Sequence, residues 1–183
     1  MTEQYNVDRA DSVRLAGIVE DSIVDGPGLR LAFYAQGCPH KCPGCHNPQA
    51  HPFEGGSVWT TEDMLKKLDD NPLQTGVTLS GGEPFSQAAQ LALFAEACKA
   101  RAVEVAVYTG YTFEELLEQA VTDAGFLALL QQTDVLVDGR FVLSLRSPML
   151  RFRGSSNQRI IDVPASLAIG TVQLMTESRW TGD

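Results

Sequence analysis

Three of the four cysteines in this 183-residue chain fall within eight residues, in the run Cys38-Pro39-His40-Lys41-Cys42-Pro43-Gly44-Cys45-His46-Asn47. Clustering of that kind is metal-ligand spacing rather than a disulfide framework, which belongs to oxidising compartments and smaller, loop-rich chains. Thiolates are the preferred ligands of iron–sulfur clusters. A structural cluster or a structural zinc normally takes four protein ligands, and the tight group here supplies three. A cubane held by three cysteines keeps one iron open to a small molecule, as catalytic zinc sites keep one position free. The alternative is a structural zinc held by Cys38, Cys42, Cys45 and one of His40, His46 or His51. Gaps of three and then two residues between the cysteines favour the cluster, because zinc knuckles more often use pairs.

The cysteines sit in a long Pro-, Gly- and His-rich loop spanning residues 37–56, and a loop of that length in a compact domain is usually functional. Before it, Val13 to Val19 alternates like a strand, residues 25–28 (Asp-Gly-Pro-Gly) are turn chemistry, and Leu29 to Tyr34 reads as a buried strand. After it, Thr60 caps a helix to Asp70 with Asp63 at the third position, and a short strand Val77 to Leu79 runs into Ser80-Gly81-Gly82-Glu83-Pro84. A helix follows from about Ser86 to Lys99, with Leu91, Phe94, Ala95 and Cys98 at helical spacing, so Cys98 reads as a core residue. Val103 to Tyr108 is the next strand, Thr112 and Glu115 form a capping box, Asp134 to Val137 is a strand ending at Asp138-Gly139-Arg140, and Gln158 to Val163 is the last.

Strands alternating with helices argue for an α/β fold with parallel pairing through right-handed crossovers. A complete eight-stranded barrel needs about 250 residues. A partial, open (β/α) barrel of mostly parallel strands is therefore expected, as one domain over residues 1–183 with a short C-terminal tail from about 176. Each unusual polar motif follows a strand, which is where barrel-like folds place their sites.

A formal net charge of -9 argues against general nucleic-acid binding, which draws on phosphate neutralisation. Arg140, Arg146, Arg151, Arg153 and Arg159 form a local exception, with no acidic residue between Asp138 and Asp162. They read either as solvated loop residues or as a seat for an anion or an acidic partner surface. The polar, acidic start MTEQYNVDRADSV lacks a secretory h-region, and no apolar run is long enough to span a bilayer. A cytoplasmic location without membrane attachment is expected.

The cysteine loop matches the Cys-x-x-x-Cys-x-x-Cys signature of the radical S-adenosylmethionine enzymes. More narrowly, four stretches resemble the activating proteins of anaerobic ribonucleoside-triphosphate reductase: residues 21–30 (Asp-Ser-Ile-Val-Asp-Gly-Pro-Gly-Leu-Arg), Gly37 to Asn47, residues 80–84, and Arg153-Gly154-Ser155-Ser156-Asn157-Gln158-Arg159. The first and third are shared with related activases, including that of pyruvate formate-lyase, and the last is the more specific one. The resemblance implies a 4Fe–4S cluster on Cys38, Cys42 and Cys45, with S-adenosylmethionine on the open iron. It also implies cleavage of that cofactor to a 5′-deoxyadenosyl radical, and a glycyl radical made on the partner reductase with electrons from a low-potential donor such as a flavodoxin.

The wider superfamily often carries an aromatic residue before the third cysteine, near the adenine. Gly44 stands there in this chain, so contact is expected to fall to the backbone around Cys45 and to His46. By the same resemblance, Gly81, Gly82 and Glu83 receive the methionine amino group, through backbone carbonyls with Glu83 as a further acceptor, and Thr109 lies beside the cofactor. Arg140 is expected to fork onto the methionine carboxylate, with Asp138 orienting it or facing the ribose, because a guanidinium matches a carboxylate. The alternative for Arg140 is a plain surface residue. Asp25, Arg153, Asn157 and Arg159 are expected to face the partner, with Asp25 as a mere turn residue the alternative.

Overall fold

The structure, a computed structural model, describes residues 11–182. The polar start at 1–10 lies outside the described residues. Seven strands form one sheet: β1 (Ser12–Ser22), β2 (Arg30–Ala35), β3 (Ser57–Thr60), β4 (Gly76–Gly81), β5 (Glu104–Tyr108), β6 (Val135–Asp138) and β7 (Arg159–Asp162), in the spatial order β3-β1-β2-β4-β5-β6-β7. The pairs β2·β4, β4·β5 and β5·β6 are parallel. The pairs β1·β2, β1·β3 and β6·β7 are antiparallel. The fold is thus a mixed α/β sheet with a parallel centre and antiparallel edges.

Those edges are where the expected, mostly parallel pairing gives way, and their connections lack a crossover helix. Residues 23–29 join β1 to β2, too few for a crossover of a dozen or more. The segment between β6 and β7 contains only a 3-10 turn, Leu143–Leu145, so the chain comes back antiparallel. In the centre, α1 (Thr61–Asp69) and α2 (Ala88–Lys99) form the crossovers into β4 and β5, and α3 (Phe113–Gln119) with α4 (Ala124–Gln132) form the one into β6. Capping boxes open α1 at Thr60 and Asp63 and α3 at Thr112 and Glu115. Each cap satisfies backbone N–H groups that a helix start leaves unpaired, a contribution of about 1 kcal/mol.

Strand side chains alternate between faces. On one face Leu31, Phe33, Val77, Leu79, Val105, Val107 and Leu136 meet the helices in the main core, where Phe33 and Phe94 pack edge to face at 5.1 Å. Cys98 belongs to this core at 0% exposure, and burial pushes its thiol up to about 12. The opposite face carries a smaller apolar group, Ala106, Val135, Val137 and Ile160, closed below by Met175 and Trp180. Trp180 sits on α6 (Ser178–Thr181), after α5 (Val163–Ile169). The expected tail from about 176 is therefore packed in: Trp180 is fully buried and the Arg30 guanidinium lies over its ring at 5.5 Å. No helix among the described residues is long and apolar enough to cross a membrane.

Candidate active site

Because β2, β4, β5 and β6 run the same way, their C-terminal ends meet at one edge of the sheet. There Tyr34, Ser80 and Tyr108 project from the face opposite the main core. A cavity of about 480 Å³ opens above them. Cys38, Cys42 and Cys45 line its wall, and Ser80, Gly81 and Gly82 line it opposite.

Backbone bonds stitch these two walls together. Gly37 N–H donates to the Ala50 carbonyl at 2.8 Å and Cys38 N–H to the His51 carbonyl at 3.0 Å, closing the cysteine loop on itself. Gly82 N–H donates to Ala35 O at 2.7 Å and Glu83 N–H to Gly37 O at 2.8 Å, tying the glycine turn to the loop's start. The approach is close enough to require glycine. A Cβ on Gly81, whose φ is +97°, would come within 2.5 Å of the Tyr34 Cα, and one on Gly82 within 2.4 Å of Gly37 O. Both fall well inside van der Waals contact, and a positive φ adds strain for any residue with a Cβ.

All four cysteines are free thiols. Cys38 is 7% exposed, and burial raises its pKa. Ligation would offset that by stabilising the thiolate. Among the described residues no three or more His, Cys, Asp or Glu side chains are arranged to hold a single metal ion. A zinc needs its ligands on one point, with sulfur at about 2.3 Å. A cubane offers a separate iron to each thiolate, and three free thiols line this one cavity. Three buried polar atoms without hydrogen-bond partners, Tyr108 Oη, His51 Nε2 and Arg153 Nε, belong to residues lining the same cavity. An unsatisfied buried polar group costs about 1–3 kcal/mol, so three on one cavity suit a polar occupant.

Of the expected site residues, Cys38, Cys42, Cys45, His46, Gly81, Gly82, Thr109 and Asp25 line this cavity. Asp25 Oδ2 accepts from Ser22 Oγ at 2.5 Å and from Tyr34 Oη at 2.9 Å, so it is held in place rather than hanging in a turn. Arg153, expected to face a partner, lines the cavity as its single Lys or Arg among the described residues. Its Nη1 donates to the Gln158 carbonyl at 3.1 Å. Phe141 was not singled out in the sequence. It lines the cavity beside His46, ring centroids 5.4 Å apart, and supplies the aromatic surface absent at Gly44.

The geometry places the other expected residues outside the cavity lining. Arg140 points away, its Nη1 donating to Glu115 Oε1 at 3.0 Å and Oε2 at 3.2 Å on the outer surface. Gly139 before it has φ +95°, which turns the chain away from the line of β6. Asp138 is buried beneath the site, accepting from Phe113 N–H at 2.8 Å and pairing with Arg159, so it orients neither Arg140 nor a ribose. Glu83 is fully buried and its carboxylate is saturated: Phe85 N–H (3.0 Å) and Thr109 Oγ1 (2.8 Å) donate to Oε1, while Gly110 N–H (2.9 Å) donates to Oε2 and His40 Nε2 contacts it. A carboxylate has about four acceptor sites, so none is left for a methionine amino group. Gly44 backs onto Leu143 rather than onto the cavity. Asn157 donates to the Arg140 carbonyl at 2.9 Å, and Arg159 bridges Glu114 and Asp138, so both side chains are engaged within the chain.

The chain resembles known proteins over most of its length. Residues 24–161 match the family profile described as a 4Fe-4S single cluster domain. The anaerobic ribonucleoside-triphosphate reductase-activating protein of Salmonella typhi is 35% identical over 144 residues, covering 74% of this chain and 90% of that protein. Its counterpart in Escherichia coli K12 is 33% identical over the same span and coverage, and that of Enterobacteria phage T4 is 32% identical over 75% of this chain and 86% of its own. The crystal structure of QueE from Escherichia coli overlaps more loosely, at TM-score 0.47 and 16% identity, over 55% of this chain and 53% of that one. With a 4Fe–4S domain match across the site and this identity over nearly the full length of its relatives, the chain belongs to the family of anaerobic ribonucleoside-triphosphate reductase-activating proteins.

Proposed function

We propose that this protein cleaves S-adenosylmethionine reductively at a 4Fe–4S cluster and generates a glycyl radical on anaerobic ribonucleoside-triphosphate reductase. The observation that carries this reading is the meeting of three free thiols and a glycine turn on the walls of one cavity. The seven-stranded sheet then serves as a partial, open barrel of the radical S-adenosylmethionine type. Cys38, Cys42 and Cys45, which line the cavity, would hold the cluster through three of its irons, leaving one iron free for the cofactor. When bound and reduced, the cluster would supply one electron to the cofactor's sulfonium, breaking its bond to the 5′-carbon to give methionine and a 5′-deoxyadenosyl radical able to take a hydrogen atom from the reductase glycine.

The protein's own residues bind, orient and exclude. Carbonyls of the Ser80–Gly82 turn receive the methionine ammonium. Arg153, with a free buried Nε–H, meets the carboxylate in the role first expected of Arg140. His46 and Phe141 flank the adenine. Asp25, fixed by Ser22 and Tyr34, faces the glycine-bearing segment of the reductase. The protein works in the cytoplasm, on electrons from a low-potential donor such as a flavodoxin.

Anaerobically reconstituted protein, incubated with S-adenosylmethionine and dithionite, tests the chemistry. Brown protein containing iron and acid-labile sulfide, with methionine and 5′-deoxyadenosine formed, supports the reading. Colourless protein with stoichiometric zinc and no cleavage refutes it.

A further inference from the structure

The Glu83 carboxylate, expected at the cofactor, instead joins three segments distant in sequence. Its Oε1 is held by Phe85 N–H, two residues on, and by Thr109 Oγ1 at the end of β5. Its Oε2 is held by Gly110 N–H and contacted by His40 Nε2 at 2.9 Å. His40 lies between Cys38 and Cys42, and its side chain is 5% exposed against 0% for Glu83. The imidazole is fixed on two further sides. Its ring meets Tyr111 edge to face, with centroids 4.5 Å apart and planes at 76°, and it lies so close over Gly110 that a Cβ there would come within 2.3 Å of its Cδ2. A loop side chain enclosed in this way has little freedom left to lose on ligand binding.

We propose that His40 and Glu83 form a positioning strut that holds the cysteine loop in register with the Gly81–Gly82 turn, so that the cluster's open iron and the methionine seat face each other at the right separation. The proposal rests on the function given above. Its logic is that of polar partners that orient ligand-bearing residues at metal sites, whose loss typically costs 10–100-fold in affinity or activity. Three thiolates on one cluster fix the loop's internal shape. They do not fix the loop's placement against the turn on the next strand. The backbone bonds from Gly82 and Glu83 anchor only the loop's start, at Ala35 and Gly37, and the His40–Glu83 contact extends that anchoring into the stretch between Cys38 and Cys42 with buried, directional bonding.

The test uses anaerobically reconstituted full-length protein with His40→Ala, His40→Gln and wild type compared. Gln places an N–H donor where the imidazole Nε2 stands. Iron and sulfide content, S-adenosylmethionine affinity by equilibrium dialysis, and the cofactor-induced change in the electron paramagnetic resonance spectrum of the reduced cluster are measured on each. The strut predicts that His40→Ala keeps its iron but binds the cofactor roughly 10- to 100-fold more weakly and loses the spectral change, and that His40→Gln recovers most of both. The proposal is overturned if His40→Ala keeps wild-type affinity and spectral response, if Gln fails to rescue, or if both variants lose the cluster, which would place His40 in cluster assembly instead. Absence of cofactor binding by the wild type would refute the proposed function itself, a separable outcome.

Discussion

Arg153 and Gln158 brace one another. Arg153 Nη1 donates to the Gln158 carbonyl at 3.1 Å, and Gln158 Oε1 accepts from Gly154 N–H at 2.7 Å and Ser155 N–H at 3.1 Å, leaving Arg153 Nε buried at the cavity. A guanidinium held this way can meet a carboxylate without first ordering its own side chain. Arg153→Gln is expected to weaken S-adenosylmethionine binding about 10- to 100-fold, the equivalent of losing one charge-assisted hydrogen bond of about 1.5–3 kcal/mol. Arg140→Ala, on the surface pair with Glu115, should leave that affinity unchanged. Equilibrium dialysis under argon checks both, and equal losses would return the carboxylate to Arg140.

The four cysteines divide three to one. Replacing Cys38, Cys42 or Cys45 with Ala should abolish iron and sulfide retention. Cys98→Ala should retain both, since Cys98 lies in the helical core away from the cavity. Metal and sulfide analysis after reconstitution separates these outcomes.

Alkylation of the apo-protein should follow exposure. Thiolates react and thiols do not, so burial slows modification both by access and by disfavouring the charge. Cys42 and Cys45, partly exposed, should be modified before Cys38 at 7% exposure, and Cys98, pushed up to about 12, last. Mass spectrometry of a timed iodoacetamide reaction gives the order.

The C-terminal segment contributes stability from beneath the sheet. Arg30 is fully buried, donating to Thr78 Oγ1 and Glu104 Oε1 at 2.7 Å each, with Trp180 covering it. Trp180→Ala should cost about 3–5 kcal/mol by leaving a cavity against a buried cation. Urea unfolding at matched cluster content measures it, and a loss below 1 kcal/mol would mean the segment is dispensable.

Glu114 gives a pH signature. Hydrogen bonds from Arg159 hold its carboxyl at about 2, against an ordinary 4.5. A carboxyl depressed by folding stabilises fully above its unfolded value and loses that contribution as pH falls toward the folded one. Because the Glu114 side chain is 57% exposed, the pair is screened and Glu114→Gln should cost under about 1 kcal/mol at pH 7. The gap between wild type and variant should narrow as pH drops below about 4.5, which thermal melts from pH 7 to 3 would show.

Much of this architecture could be read from the chain because local rules and tertiary structure agreed. The thiol spacing, the Gly81–Gly82 turn and the two capping boxes are short-range signals; the first two meet at one cavity, and the boxes open α1 and α3. What escaped reading depends on distant partners. Helix α4 was hidden because Phe126 to Leu130 is a short apolar run without clear periodicity. Arg140 and Arg153 each adjoin a glycine in an acid-free stretch, and only the turn at Gly139 and the brace at Gln158 decide which enters the cavity. Glu83 sits in a stretch expected from resemblance to meet the cofactor, yet it is fully buried and contacts His40, 43 residues away, a partner that no local pattern records.

The most direct test of the central claim is co-incubation of the reconstituted protein with the anaerobic reductase from the same source, S-adenosylmethionine and a reductant, read by electron paramagnetic resonance. The expected result is a glycyl-radical signal on the reductase that grows with activator and disappears in the Cys38→Ala, Cys42→Ala and Cys45→Ala variants. A reductase that stays radical-free, while the same activator retains its cluster and cleaves the cofactor, would contradict the account.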